Sequence, residues 1–168
     1  MITVPAAVML LALYLIIFGF SAQDGETSGG LSYLISEKCA AFLNALSGER
    51  WSEAIVAEFA AYFEHPLRKL AHFAEYAVMG ILLTVIWVQW MRPGKRLCLL
   101  IVLWVFISAA ADELHQYFVP GRYASVADVL LDTCGGAFGM MVCLHLRRRI
   151  KGNIENSVTC DTSLPENR

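Results

Sequence analysis

Hydrophobic positions in this chain fall into long unbroken stretches and into spaced ones, and the two kinds predict different helices. A bilayer core is roughly 30 Å thick and takes about 20 helical residues to cross. Four stretches have that length, residues 4–22, 70–91, 97–118 and 126–146. They predict an all-α polytopic membrane protein whose four transmembrane helices form one domain over residues 4–146. The first stretch carries no charge and has no Lys or Arg before it, so it reads as a retained anchor and not as a cleaved signal peptide. The third has only fifteen uncharged residues, Leu97 to Ala111, and completes its crossing by taking Asp112, Glu113 and His115 with it.

The spaced pattern occupies residues 23–69. Leu31, Leu34, Ile35, Cys39, Phe42, Leu43 and Leu46 recur at helical intervals, and Trp51, Ile55, Phe59, Tyr62 and Phe63 do so again after a Ser47-Gly48 break. Two amphipathic helices are expected, the second ended by Pro66, lying on the membrane surface or capping the bundle. Residues 147–168 read as a basic segment followed by a polar, aperiodic, disordered tail. Arg92, Lys95 and Arg96 in one short loop, with Arg147, Arg148, Arg149 and Lys151 after the fourth stretch, mark the cytoplasmic side. Both termini are therefore expected in the cytoplasm, and the amphipathic segment outside.

Composition agrees with this picture. Hydrophobic residues make up 57% of the chain, above the roughly 45–50% of soluble domains even though that figure also counts glycine. Charged residues are 17%, with 13 basic against 15 acidic. Without a basic stripe to neutralise phosphates, nucleic acid is not an expected partner. The five cysteines are odd in number, and Cys98, Cys134 and Cys143 lie within apolar runs, so no disulfide framework or zinc-ligand spacing is present.

Ionisable residues inside membrane helices are costly and mark functional candidates. His72 and Glu75 begin the second span, Asp112, Glu113 and His115 end the third, and Asp128 and Asp132 begin the fourth. Alternating chain direction puts all seven in one leaflet, the outer one by the Lys/Arg rule. Tyr76 follows His72 by four and Gln116 follows Asp112 by four, so each pair shares a helix face. In the fourth span Asp128, Asp132, Gly135 and Gly139 share another, with a Gly-x-x-x-Gly step that permits close helix approach. Three polar faces can then meet around a pocket. Each residue also has a structural role open to it. Asp128 stands three after Ser125, a capping-box spacing; Glu75 suits a helix N-terminus; His72 and His115 suit buried hydrogen bonds. Asp112 and Glu113, at a helix C-terminus, need compensation from Arg122, Arg68, Lys69, His115 or a bound cation. Val119-Pro120-Gly121-Arg122 reads as a type II turn that aims Arg122 either at these carboxylates as counter-ion or at an anion such as phosphate.

Phe20-Ser21-Ala22-Gln23 with Ser28, Lys69-x-x-His72-Phe73-x-x-Tyr76, and the block Asp112-Glu113-Leu114-His115-Gln116-Tyr117-Phe118-Val119-Pro120-Gly121-Arg122 followed by Ser125-x-x-Asp128 resemble the VanZ-like family of bacterial membrane proteins. Asp132 departs from it, since such proteins more often carry Asn there. The resemblance implies a multi-pass protein of the bacterial cell membrane and envelope, with a namesake linked to lowered susceptibility to teicoplanin. It implies no settled reaction.

Three functional classes follow. The first is an envelope factor whose outer-leaflet pocket binds a lipid-linked component through Lys69, Glu75, Tyr76, Gln116, Arg122, Asp128 and Asp132. The second is an enzyme acting on a phosphate-bearing envelope lipid, with a divalent cation on Asp112, Glu113 and Asp128, His72 or His115 as base, and Arg122 on the phosphate. The third is a small transporter. The oligomeric state stays open, because Gly135 and Gly139 can pack helices within one chain or between two.

Overall fold

The computed structural model describes residues 3–48 and 50–161, and side chains as far as residue 153. It contains five helices among the described residues: α1 (Thr3–Ser21), α2 (Gly25–Leu46), α3 (Glu53–Trp87), α4 (Lys95–Tyr117) and α5 (Val126–Asp161). Helices α1, α3, α4 and α5 are each long and apolar enough to span a membrane. The protein is thus a multi-pass, all-α membrane protein, and its apolar spans commit it to a lipid bilayer.

Helix α2 starts where Asp24 accepts the Thr27 backbone N–H at 2.7 Å and ends at Ser47, with Gly48 at φ 83° turning the chain. A left-handed residue just past a helix end favours glycine for want of a Cβ. Asn44 then secures the turn into α3: its Oδ1 accepts the Trp51 N–H at 2.9 Å while its Nδ2 donates to the Trp51 carbonyl at 3.2 Å. Trp51, Phe59 and Phe63 follow in series with ring centroids 5.5 and 4.3 Å apart, the first pair tilted and the second stacked, and α2 packs back along α3 as a helical hairpin.

Two expectations are corrected. Pro66 does not end a helix; it lies inside α3, which continues from Glu53 to Trp87 as one element. Proline forfeits the bond to the carbonyl four residues earlier, here Tyr62. Both Tyr62 and Pro66 are exposed, so that carbonyl sits on an open face of the helix, and the Glu64–Arg68 ion pair bridges the same turn. The expected disordered tail is helical in its first part, because α5 runs on to Asp161; residues 162–168 lie outside the described residues.

The core forms around α3, α4 and α5, where Tyr76, Met79, Leu83, Leu97, Ile101, Val105 and Ala109 are buried. Helices α3 and α5 meet backbone to backbone along glycines. A Cβ built on Gly139 would stand 1.9 Å from the Ala77 carbonyl oxygen, one on Gly80 2.0 Å from that of Gly136, and one on Gly135 2.4 Å from that of Phe73. Gly136 is closed on its other side by Val105 of α4, 2.5 Å from the same hypothetical atom. Helix α1 packs on α3 and α4, tied by the Tyr14 hydroxyl, which lies 2.6 Å from Ser108 Oγ and accepts the Trp104 indole N–H at 2.9 Å.

Candidate functional site

The polar residues gather at the end of the bundle where α4 finishes and α5 begins. The turn between them is type II as expected: Arg122 N–H donates to the Val119 carbonyl at 3.2 Å, and Gly121 has φ 74°. It docks on the start of α2, where Gly25 N–H donates to the Pro120 carbonyl at 3.1 Å. From this turn Arg122 reaches back across α1. Its Nη2 donates to the Phe20 carbonyl at 2.9 Å, its Nε to that of Gln23 at 3.2 Å, and its Nη1 to Gln116 Oε1 at 3.0 Å. The arginine is first a staple between the α1–α2 corner and the end of α4. Burial and the nearby Arg68 lower its pKa from the ordinary value, but a guanidinium remains charged. Three of its five N–H groups are used in these bonds, and two are left for the pocket it lines.

Glu113 and Asp128 exchange the roles that capping spacing suggests. Ser125 begins α5 by accepting the Asp128 N–H on its hydroxyl at 3.4 Å. The carboxylate of Asp128 does not return to Ser125; it pairs with Lys69 of α3. Glu113 of α4 takes the vacated position, its Oε2 accepting the Ser125 N–H at 2.7 Å. An acid from a neighbouring helix thus completes the cap, with the charge at the positive end of the α5 dipole.

These residues wall a cavity of about 320 Å³. Of the expected site residues, Lys69, His72, Glu113, Gln116, Arg122, Asp128 and Asp132 line it. Asp132 is 2% exposed, and its Oδ1 has no hydrogen-bond partner; neither has His72 Nδ1, which stands 3.8 Å from Glu75 Oε2.

The remaining expected residues lie elsewhere. Asp112, Tyr76 and His115 line a second, largely apolar cavity of about 470 Å³ between α1 and α4. There Asp112 Oδ2 accepts the Gln116 amide at 3.0 Å, the same amide approaches Ser21 Oγ at 3.3 Å, and His115 stacks on Phe18 at 4.5 Å. The face carrying Ser108, Asp112, His115 and Gln116 therefore packs on α1. Glu75 lines a third, smaller cavity of about 160 Å³ beside α2, which it shares with His72 and Arg68.

Asp112, Glu113 and Asp128 each serve a different partner. Among the described residues, no group of three His, Cys, Asp or Glu side chains is placed to hold a metal ion.

His65, Arg68 and Tyr123 also line the first cavity without having been singled out from the sequence as binding residues. His65, Arg68, Lys69 and His72 repeat at helical spacing and form one face as soon as α3 is read through Pro66. No comparable signal marks Tyr123.

The VanZ/LLP1 family model matches residues 6–147. This chain belongs to the VanZ/LLP1 family. No curated protein and no solved structure matches it. The matched region reaches from α1 through the α2–α3 hairpin and α4 into α5, so the residues lining the first and second cavities fall within the VanZ/LLP1 match, and α5 extends beyond it from residue 148 to 161.

Proposed function

We propose that this VanZ/LLP1 protein resides in a bacterial cell membrane with both termini in the cytoplasm, and binds the polar head of an envelope lipid or lipid-linked wall component in the outer leaflet, lowering susceptibility to glycopeptides such as teicoplanin. The reading is supported above all by the cavity between α3, α4 and α5. It is roomy, it is walled by charged and amide side chains, and it holds buried polar atoms that no protein group satisfies. Such atoms cost free energy until something pairs with them. Position supports the reading as well, because the cavity lies at one end of the spans and not at their middle, the level of lipid head groups. The Lys/Arg bias of the opposite loops argues for the outer side.

The test is expression of wild type and Lys69→Gln at matched membrane levels in a susceptible Gram-positive host, compared with empty vector. Wild type is expected to lower teicoplanin susceptibility and Lys69→Gln to lose the effect. Equal protection by both would overturn the role of the cavity, and no protection by either would overturn the link to glycopeptides.

A further inference from the structure

The cavity carries both signs of charge. Arg68, Lys69 and Arg122 line it together with Glu113, Asp128 and Asp132, Lys69 paired with Asp128 and Arg68 with Glu64 just outside the lining. A head group that offers both a cation and an anion can address both kinds of group. Arg68, Lys69 and Asp128 are partly exposed, whereas Asp132 is 2% exposed and retains a buried carboxylate oxygen with no hydrogen-bond partner. What the deep end of the cavity lacks is therefore a positive, hydrogen-donating group. A divalent metal ion is a poor candidate, since it asks for several convergent oxygen ligands and no such group is assembled among the described residues. An ammonium asks for less: one carboxylate and one or two further acceptors complete its three N–H bonds. His72 lines the same cavity, its Nδ1 buried without a hydrogen bond and 3.8 Å from Glu75 Oε2.

Resting on the head-group reading above, we infer that the ligand is a zwitterionic phospho-amine, its primary ammonium seated on Asp132 and its phosphate held at the rim by Arg68, Lys69 and the free N–H groups of Arg122. The same head occurs on phosphatidylethanolamine and as soluble phosphoethanolamine, and the experiment separates the two. Delipidated full-length protein in neutral detergent is offered equimolar short-chain phosphatidylethanolamine, phosphatidylcholine and phosphatidylglycerol, and the retained lipid is read by native mass spectrometry. Phosphatidylcholine keeps the charge and removes every ammonium N–H; phosphatidylglycerol removes the ammonium. Wild type is expected to retain phosphatidylethanolamine at least about tenfold over either. Asp132→Asn is expected to lose that preference while still binding phosphatidylglycerol.

Equal retention of phosphatidylethanolamine and phosphatidylcholine by wild type overturns the ammonium assignment even if Asp132→Asn fails to fold. A preference for phosphatidylglycerol overturns the assignment and leaves the head-group reading standing. Retention of none of the three overturns both. Displacement of bound phosphatidylethanolamine by Mg²⁺ alone also overturns the assignment. Competition by soluble phosphoethanolamine supports it and shows that the head suffices without its chains.

Discussion

The glycine seam between α3 and α5 makes a quantitative prediction in which one chemical change has opposite effects at two sites. In Gly139→Ala the added carbon would stand 1.9 Å from the Ala77 carbonyl oxygen, where ordinary contact begins at 3.4 Å. The obstructing atom is backbone in the middle of α3 and cannot rotate away, so the helices must part locally by the difference, 1.5 Å. A gap of about 0.5–1 Å already forfeits a quarter to a half of a dispersion contact. The seam continues through Gly80, Gly135 and Gly136, so the loss spreads beyond one residue. Overfilling a packed interior costs about 1–3 kcal/mol, and a rigid obstacle places Gly139→Ala at the upper end, near 3 kcal/mol. Gly19→Ala in α1 is the control, because a Cβ there meets nothing within 4 Å. It gains helix propensity of up to about 1 kcal/mol and should be neutral or stabilising. Unfolding of both variants in mixed micelles, followed by circular dichroism against the mole fraction of sodium dodecyl sulfate, reads the difference. Equal stability of the two variants would refute backbone-to-backbone packing of α3 on α5.

Two further outcomes are expected. Arg122→Lys removes the fork that joins Phe20, Gln23 and Gln116, and a single ammonium cannot reach three acceptors on two elements; the loss should be about 1.5–3 kcal/mol for bonds from a charged donor, read as a lowered Tm in detergent, and an unchanged Tm would show the staple to be dispensable. At the start of α2, the backbone N–H of Thr27 holds the Asp24 carboxyl below its usual pKa. A carboxylate lowered on folding contributes stability that is complete above its unfolded pKa of about 3.9 and lost as pH falls through the lower folded value. Amide protection in the first turn of α2, taken relative to the intrinsic exchange rate at each pH, should therefore fall below pH about 4 in wild type and show no such step in Asp24→Asn, which keeps a capping oxygen that does not titrate; identical protection profiles would show the cap to be inert.

The sequence was most legible where one signal acted alone. The uncharged run of residues 4–22 matches α1 (Thr3–Ser21) to within one residue at each end, since nothing in it competes with burial in lipid. It was least legible at Pro66, where a local rule for ending helices met hairpin packing and an open face around Tyr62, and packing prevailed. That single misreading also hid His65, and with it the basic face on which Arg68, Lys69 and His72 stand. Chain parity brought the acids to one end of the bundle but could not assign them to cavities. Asp112 and Glu113 are neighbours on one helix, so their side chains diverge by about 100°; one turns to α1 and Gln116, the other to α5 and Ser125. Treating them as a pair assumed a convergence that adjacent helical positions rarely allow. The staple by Arg122 was beyond sequence reasoning, because two of its three acceptors are main-chain carbonyls and any residue supplies those.

The uninterrupted α3 has a mechanical meaning. Its 35 residues make a rod about 52 Å long, far more than a bilayer core requires, and the glycine seam grips it from Phe73 to Gly80. From Phe73 back to Glu53 the arm is about 30 Å at 1.5 Å per residue, and Lys69 stands on it one turn from the grip. Because the helix is unbroken at Pro66, a tilt of the α2–α3 hairpin moves the wall of the polar cavity: about 5° would carry the tip some 2.6 Å and the Lys69 backbone, roughly 6 Å from the grip, about 0.5 Å. The segment that looks like an appendage is the long end of a lever.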